Sequence, residues 1–153
     1  MAGSSELSYC ADLVRRHDRD RFLTVLFAPA ERREALFALS AFHVEVAKTR
    51  ESVSDAPLGA IRLQWWREAI EEAFGRDTVR RHAVVRPLTV AIREHGLSRV
   101  HFDRLIDARM ADLEDAPPPS MGVLEAYAEG TAASLVWSAI EILMGEPSDA
   151  AQA

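Results

Sequence analysis

Residues 29–47 read PAERREALFALSAFHVEVA, and this stretch decides the fold class. Pro29 is tolerated in a first helical turn, where its missing N–H would have had no partner, and Glu31 suits the positive end of the helix dipole. Leu36, Leu39, Phe42 and Val46 then fall at three- and four-residue steps, with Ala47 beside them, which marks one buried stripe of a long α-helix. The polar stretch from Ser52 to Pro57 breaks it.

Working outward, the same period repeats, and nothing alternates with period two. Upstream, Ser8 is placed to cap a short helix through Leu13, Val14 and His17. A second short helix is expected near Arg21 to Phe27, stopping before Pro29. Downstream, a helix opens at about Pro57, carries Ile61, Trp65, Ala69 and Phe74, and ends at Gly75. Residues 76–83 form a charged connection. Pro87 falls in the first turn of a helix through Leu88, Ile92 and His95, closed by Gly96. Ser98 caps the next, with Phe102, Leu105, Ile106 and Leu113 inward. The prolines at 117–119 break the chain, and Ser120 starts a last helix that reaches Met144 and ends at Gly145. Seven helices of mixed length make an all-α bundle, a single domain over residues 1–153.

That last helix is the most apolar, with Leu124, Tyr127, Ala132, Leu135, Val136, Ile140 and Leu143. Such a helix normally has neighbours all round. The expectation is a chain cut in the middle of a larger bundle.

Composition excludes several classes of function. The formal charge is −6 and the pI about 5.4, which argues against nucleic acid, since phosphate binding needs a surplus of Lys and Arg on one face. Cys10 is the only cysteine, so there is no intrachain disulfide and no cysteine-rich metal site. No apolar run approaches the ~20 residues needed to cross a bilayer. Residues 1–9 carry neither a signal-peptide nor a transit pattern, so the expected place is the cytoplasm, or a compartment whose address has been removed.

Three groups of residues invite a chemical reading. Asp103, Asp107 and Glu114 are spaced four and seven apart, which places them on one face, and Asp112 and Asp115 form a second pair. Clustered carboxylates can hold Mg²⁺, but Arg99, Arg104 and Arg109 stand at ion-pairing spacing, and a solvated, salt-bridged face is the expectation. The five histidines, His17, His43, His82, His95 and His101, have no i,i+4 pair and are expected at the surface or at helix ends. Trp65 and Trp66 with Arg62 and Arg67 form the most distinctive string. Adjacent helical positions point about 100° apart, so one Trp faces the core and the other a groove or partner.

With these elements in place the chain resembles the squalene/phytoene synthase family. The resemblance rests on Phe22, Phe27-Ala28-Pro29, the run Arg32 to Phe42, Leu63-Gln64-Trp65-Trp66-Arg67, the Pro87 helix, Asp112-Leu113, and Tyr127-Ala128-Glu129-Gly130-Thr131-Ala132. It covers nearly all of this chain and would cover the N-terminal half of a family member, which implies half of an isoprenoid-synthase bundle. Catalytic members join two prenyl diphosphates head to head, holding Mg²⁺ and diphosphate through two aspartate-rich motifs. The first should follow Phe42, reading roughly Cys-Arg-x-x-Asp-Asp-x-x-Asp. Here the positions read His43 to Glu51: Val44 replaces the arginine, Ala47 and Lys48 replace the two leading aspartates, and only Glu51 remains acidic.

The wording of Phe42 to Ser54 and of Leu58 to Trp66 is similar to one branch, the mitochondrial complex I assembly factor and its bacterial relatives, which keeps the fold without the catalytic aspartates. The resemblance therefore implies a non-catalytic protein with no cofactor. Its partners would be respiratory complex subunits or assembly proteins, or a prenyl lipid, met through a surface involving Trp65 or Trp66. It would act in the cytoplasm at the periphery of the inner membrane, or in the mitochondrial matrix of a eukaryote. The alternative is a head-to-head prenyl-diphosphate transferase with a divergent site. There Glu51 would be the surviving Mg²⁺ ligand, and Lys48 and Arg50 would contact the diphosphate.

Overall fold

The computed structural model describes residues 7–75, 78–114 and 116–145. Local sequence sets most of the helix ends. Helix α1 runs Tyr9–His17, and Ser8 Oγ accepts the Ala11 N–H at 3.1 Å. Helix α2, Arg19–Val25, starts two residues earlier than its apolar spacing suggests. Asp18 caps it by accepting from the Arg21 N–H at 3.0 Å, a role that spacing does not reveal. The long α3 is Ala30–Ala47. Asp55 caps α4, Ala56–Phe74, with Pro57 in its first turn. Helix α5 is Val85–His95, and Gly96 terminates it at φ 62°, the left-handed conformation that glycine adopts without strain.

Helix α6 is Arg99–Arg109, followed by a 3-10 turn, Met110–Leu113. Ser98 occupies the N-cap of α6, as expected, yet its side chain does not cap. Its hydroxyl instead donates to Glu141, whose other oxygen accepts the Ser98 N–H at 3.0 Å. The expected last helix is α7, Met121–Ala128, and α8, Ser134–Met144, joined without a break by a π turn over Glu129–Ala133. There is no strand among the described residues.

Helix α3 is the axis of the bundle. It packs against α1, α5 and α8, while α4 lies on α5 and α6. The single stripe expected of α3 is too narrow a reading, because every residue from Leu36 to Phe42 is buried. Surrounding helices use all its faces, which a periodicity argument made for a surface helix does not anticipate. At the centre Phe42 packs edge-on against Trp66 and obliquely on Phe102, each at 5.4 Å between ring centres. Leu113 is buried, as expected. Cys10 is also buried, and desolvation, with Glu34 next in effect, pushes its thiol up to about 12, so it is unreactive.

Candidate functional site

The positions expected to carry an aspartate-rich motif lie on the last turn of α3 and in the loop after it. Ala47 ends the helix, Lys48 is its C-cap, and residues 48–52 form turns. Val44, Val46 and Thr49 are buried, Ala47 and Lys48 half-buried, and Glu51 exposed. The Lys48 ammonium stands 3.3 Å from His17 Nε2, at the end of α1.

Beside it, Arg21 forms an ion pair with Asp18 and stands 3.5 Å from His43 Nδ1. Burial, then the guanidinium charges of Arg21 and Arg109, pushes His43 down to about 4 against the opposing pull of Asp18. Arg109 in turn donates to Asp112 at 2.9 Å and to the Tyr127 hydroxyl at 2.7 Å, and that hydroxyl donates to Asp112 at 2.7 Å. Desolvation first, and the hydrogen bond to Asp112 second, raise the Tyr127 phenol above its usual range.

The end of α3 is thus surrounded by Arg21, Lys48 and Arg109, with a neutral His43 between them. Mg²⁺ needs several carboxylate oxygens converging on one point. Here Glu51 is the only acidic residue at the motif's expected acidic positions, and Asp18 and Asp112 are already held by arginines. The residues present do not fit Mg²⁺. Among the described residues no three or more His, Cys, Asp or Glu side chains are grouped to hold a metal ion.

The downstream carboxylates follow the salt-bridged reading. Asp103 pairs with Arg99 at 3.2 Å, Asp107 with Arg67 at 2.6 Å and Asp112 with Arg109. Glu114 does not share the face of Asp103 and Asp107, because the α-helix stops at Arg109 and gives way to the 3-10 turn. Asp115 lies outside the described residues.

Glu45, two residues before the end of α3, belongs to a different surface. With Ile61, Arg62, Trp65, Trp66 and His82 it lines a hollow of about 370 Å³. A second hollow, of about 550 Å³, lies on the other side of Trp65 and includes Gln64, Arg67, Glu68 and Met110. The ridge between them is Ile61, 67% exposed, and Trp65. Trp66 is buried and Trp65 half-buried, the division expected of adjacent helical positions. Trp65 is held on three sides. The Arg80 guanidinium lies 4.7 Å above its ring, His82 meets it at 5.2 Å, and Trp66 packs edge-on at 5.0 Å. Arg80 is itself fixed by Glu72, at 2.9 and 2.6 Å.

His82 and His101 lie at the starts of α5 and α6, as expected of helix-end residues, whereas His43 sits inside α3 and not at the surface. All three are half-buried, and burial is the first cause that lowers each of them. The run Arg80-Arg81-His82 inside the charged connection was the one sequence signal for the Trp65 surface that spacing leaves unread.

This all-α architecture, with an altered motif at the end of its central helix, agrees with what the comparisons with known proteins return. The sequence profile of the squalene/phytoene synthase family matches residues 14–153, and the chain belongs to that family. Among curated proteins it is similar to "NADH dehydrogenase (ubiquinone) complex I, assembly factor 6" of Rattus norvegicus, 38% identical over 135 residues, and of Homo sapiens, 36% identical over the same length. Each alignment covers 88% of this chain and 40% of the relative. The Drosophila melanogaster homologue is 32% identical over 143 residues, covering 88% of this chain and 41% of that protein. The chain therefore spans about two fifths of the length of the curated relatives it matches. No solved structure matches it significantly. No helix among the described residues is long and apolar enough to cross a membrane.

Proposed function

We propose that this chain, taken as one synthase-like helical domain over residues 1–153, serves as a non-catalytic assembly factor for respiratory complex I. The observation that carries the reading is the end of α3. Ala47 and Lys48 stand where two metal-binding aspartates are expected, and Lys48 sits against His17 among Arg21 and Arg109. A cation at that point opposes Mg²⁺ and leaves the departure of a diphosphate without its Lewis acid. The names of the relatives support complex I as the assembly concerned. The ridge of Ile61 and Trp65 supports a protein partner, because a half-buried aromatic held rigid by its neighbours loses little freedom on binding. The matching places are the mitochondrial matrix or, in a bacterium, the cytoplasmic side of the inner membrane. No cofactor is required.

Two arms test this. Purified protein is incubated with farnesyl or geranylgeranyl diphosphate and Mg²⁺, and no diphosphate release is expected. Turnover abolished by Glu51→Gln would replace the proposal with the prenyl-transferase reading, with Lys48 and Arg50 at the diphosphate. In cells deprived of the protein, Ala47→Asp with Lys48→Asp should not improve complex I assembly on native gels, whereas Trp65→Ala with Ile61→Ala should lower it several-fold. Assembly unaffected by the second pair would remove the Trp65 surface from the proposal.

A further inference from the structure

A buried carboxylate is costly unless cations or hydrogen-bond donors hold it. Glu141, on α8, is 6% exposed, and no arginine or lysine among the described residues pairs with it. Its oxygens take the Ser98 N–H at 3.0 Å and the Ser98 hydroxyl, at the start of α6. The α6 dipole is positive there, so this carboxylate closes the helix end in place of a cap from α6 itself. Ile142, the next residue of α8, is fully buried.

His101, in the first turn of α6, completes the contact. Its side chain is 12% exposed, and Nε2 stands 3.6 Å from Glu141 Oε1. Nδ1 is buried and has no hydrogen-bond partner. With Nε2 turned to the carboxylate, the neutral ring carries its proton there, and a second proton can go only on Nδ1. That nitrogen then becomes a charged donor inside the protein with nothing to accept from it. Burial pushes His101 down from its usual range, Glu141 pulls against that, and Arg104, further along α6, adds to the fall. The other charged groups near this contact are engaged elsewhere. Arg32 of α3 stands 2.8 Å from His95 Nδ1 at the end of α5, with Glu94 beside it. Arg99 holds Asp103, and Arg67 of α4 holds Asp107. Glu141 and His101 Nδ1 are buried by residues of this chain itself, so the contact does not depend on what lies over its open faces.

We propose that Ser98, His101 and Glu141 form a proton-operated latch, which holds the last turns of α8 on the start of α6 while His101 is neutral and lets go when Nδ1 takes a proton. The latch stands on elements other than the one that carries Trp65, so it is independent of the proposed assembly role.

The test is hydrogen exchange on the full chain at pH 7.5 and pH 5.5, corrected for the pH dependence of the exchange chemistry. Protection of residues 138–144 should fall about tenfold at most, the limit for one proton taken up at the ordinary histidine value of 6.5. In His101→Gln that protection should be almost independent of pH, whereas His43→Gln and His95→Gln should leave the fall in place. Ser98→Ala should lower it severalfold at both pH values and keep the acid response, which preserves the test if His101→Gln loses its helical circular dichroism. The proposal is overturned by an equal fall in the native chain and His101→Gln, or by no fall in the native chain. A fall abolished by His43→Gln or His95→Gln, or protection unchanged in Ser98→Ala, overturns it as well.

Discussion

At the scale of single residues, His43 has the largest consequence. Its neutral form is fixed by burial and by two guanidinium groups, and its folded pKa of about 4 lies well below the ordinary histidine value of 6.5. Between those values the unfolded chain binds a proton that the folded chain refuses. Stability is therefore fully present above pH 6.5 and falls as the pH drops toward 4, by at most about 1.4 kcal/mol per pH unit for this group. His82, His95 and His101 shift in the same direction. Urea midpoints measured at pH 7 and pH 5 should therefore fall for the native chain and fall less for His43→Gln. An equal fall in both would remove His43 as a contributor. None of this was legible in the sequence, where His43 is one of five scattered histidines. Its environment comes from residues 22 and 66 positions away.

Among the elements, α6 and the π turn approach each other closely. A Cβ built on Gly130 would stand 2.7 Å from Ala108 Cβ and 3.4 Å from the Arg104 carbonyl oxygen. On a free helix, Gly→Ala gains roughly 0.5–1 kcal/mol of backbone entropy. At this site the clash outweighs that gain, because overpacking a close helix contact costs about 1–3 kcal/mol. Gly122, in α7, meets nothing nearer than Ser120 Oγ at 3.9 Å. Gly130→Ala should lower the melting temperature, and Gly122→Ala should raise it by up to a few degrees. The same sign for both would refute the packing account. Sequence gave the caps at Ser8 and Ser120 and the stop at Gly96, because those signals act within one helical turn. It did not give the π turn. Residues 121–144 read as one uninterrupted helix, and the extra residue per turn answers to where α6 lies.

Across the whole molecule, cohesion is uneven. Helix α3 is enclosed, whereas α7 is tied down mainly through Tyr127, by its bonds to Arg109 and Asp112. Regions with few buried contacts open locally at far lower free energy than the core. In hydrogen exchange on the dilute protein, α7 amides should exchange at least about tenfold faster than those of α3. Uniform protection across both helices would show that α7 is held by something other than the contacts described.

What the sequence by itself determined is the all-α class, the positions of the main breaks, and which residues stand where the family resemblance leads one to expect the first aspartate-rich motif. Helical period, proline and glycine act locally, and Ala47 and Lys48 can be read directly against the pattern they depart from. The division of labour between Trp65 and Trp66 was also legible, since it follows from the angle between adjacent helical positions. Only the tertiary structure decided that Lys48 stands against His17, that His43 is wedged between Arg21 and Arg109, and that Arg80 and His82 brace Trp65. It also diverted Ser98 from its cap to Glu141. Each of these contacts joins residues more than a dozen positions apart, and such pairings depend on how whole helices pack, which no local pattern of residues encodes.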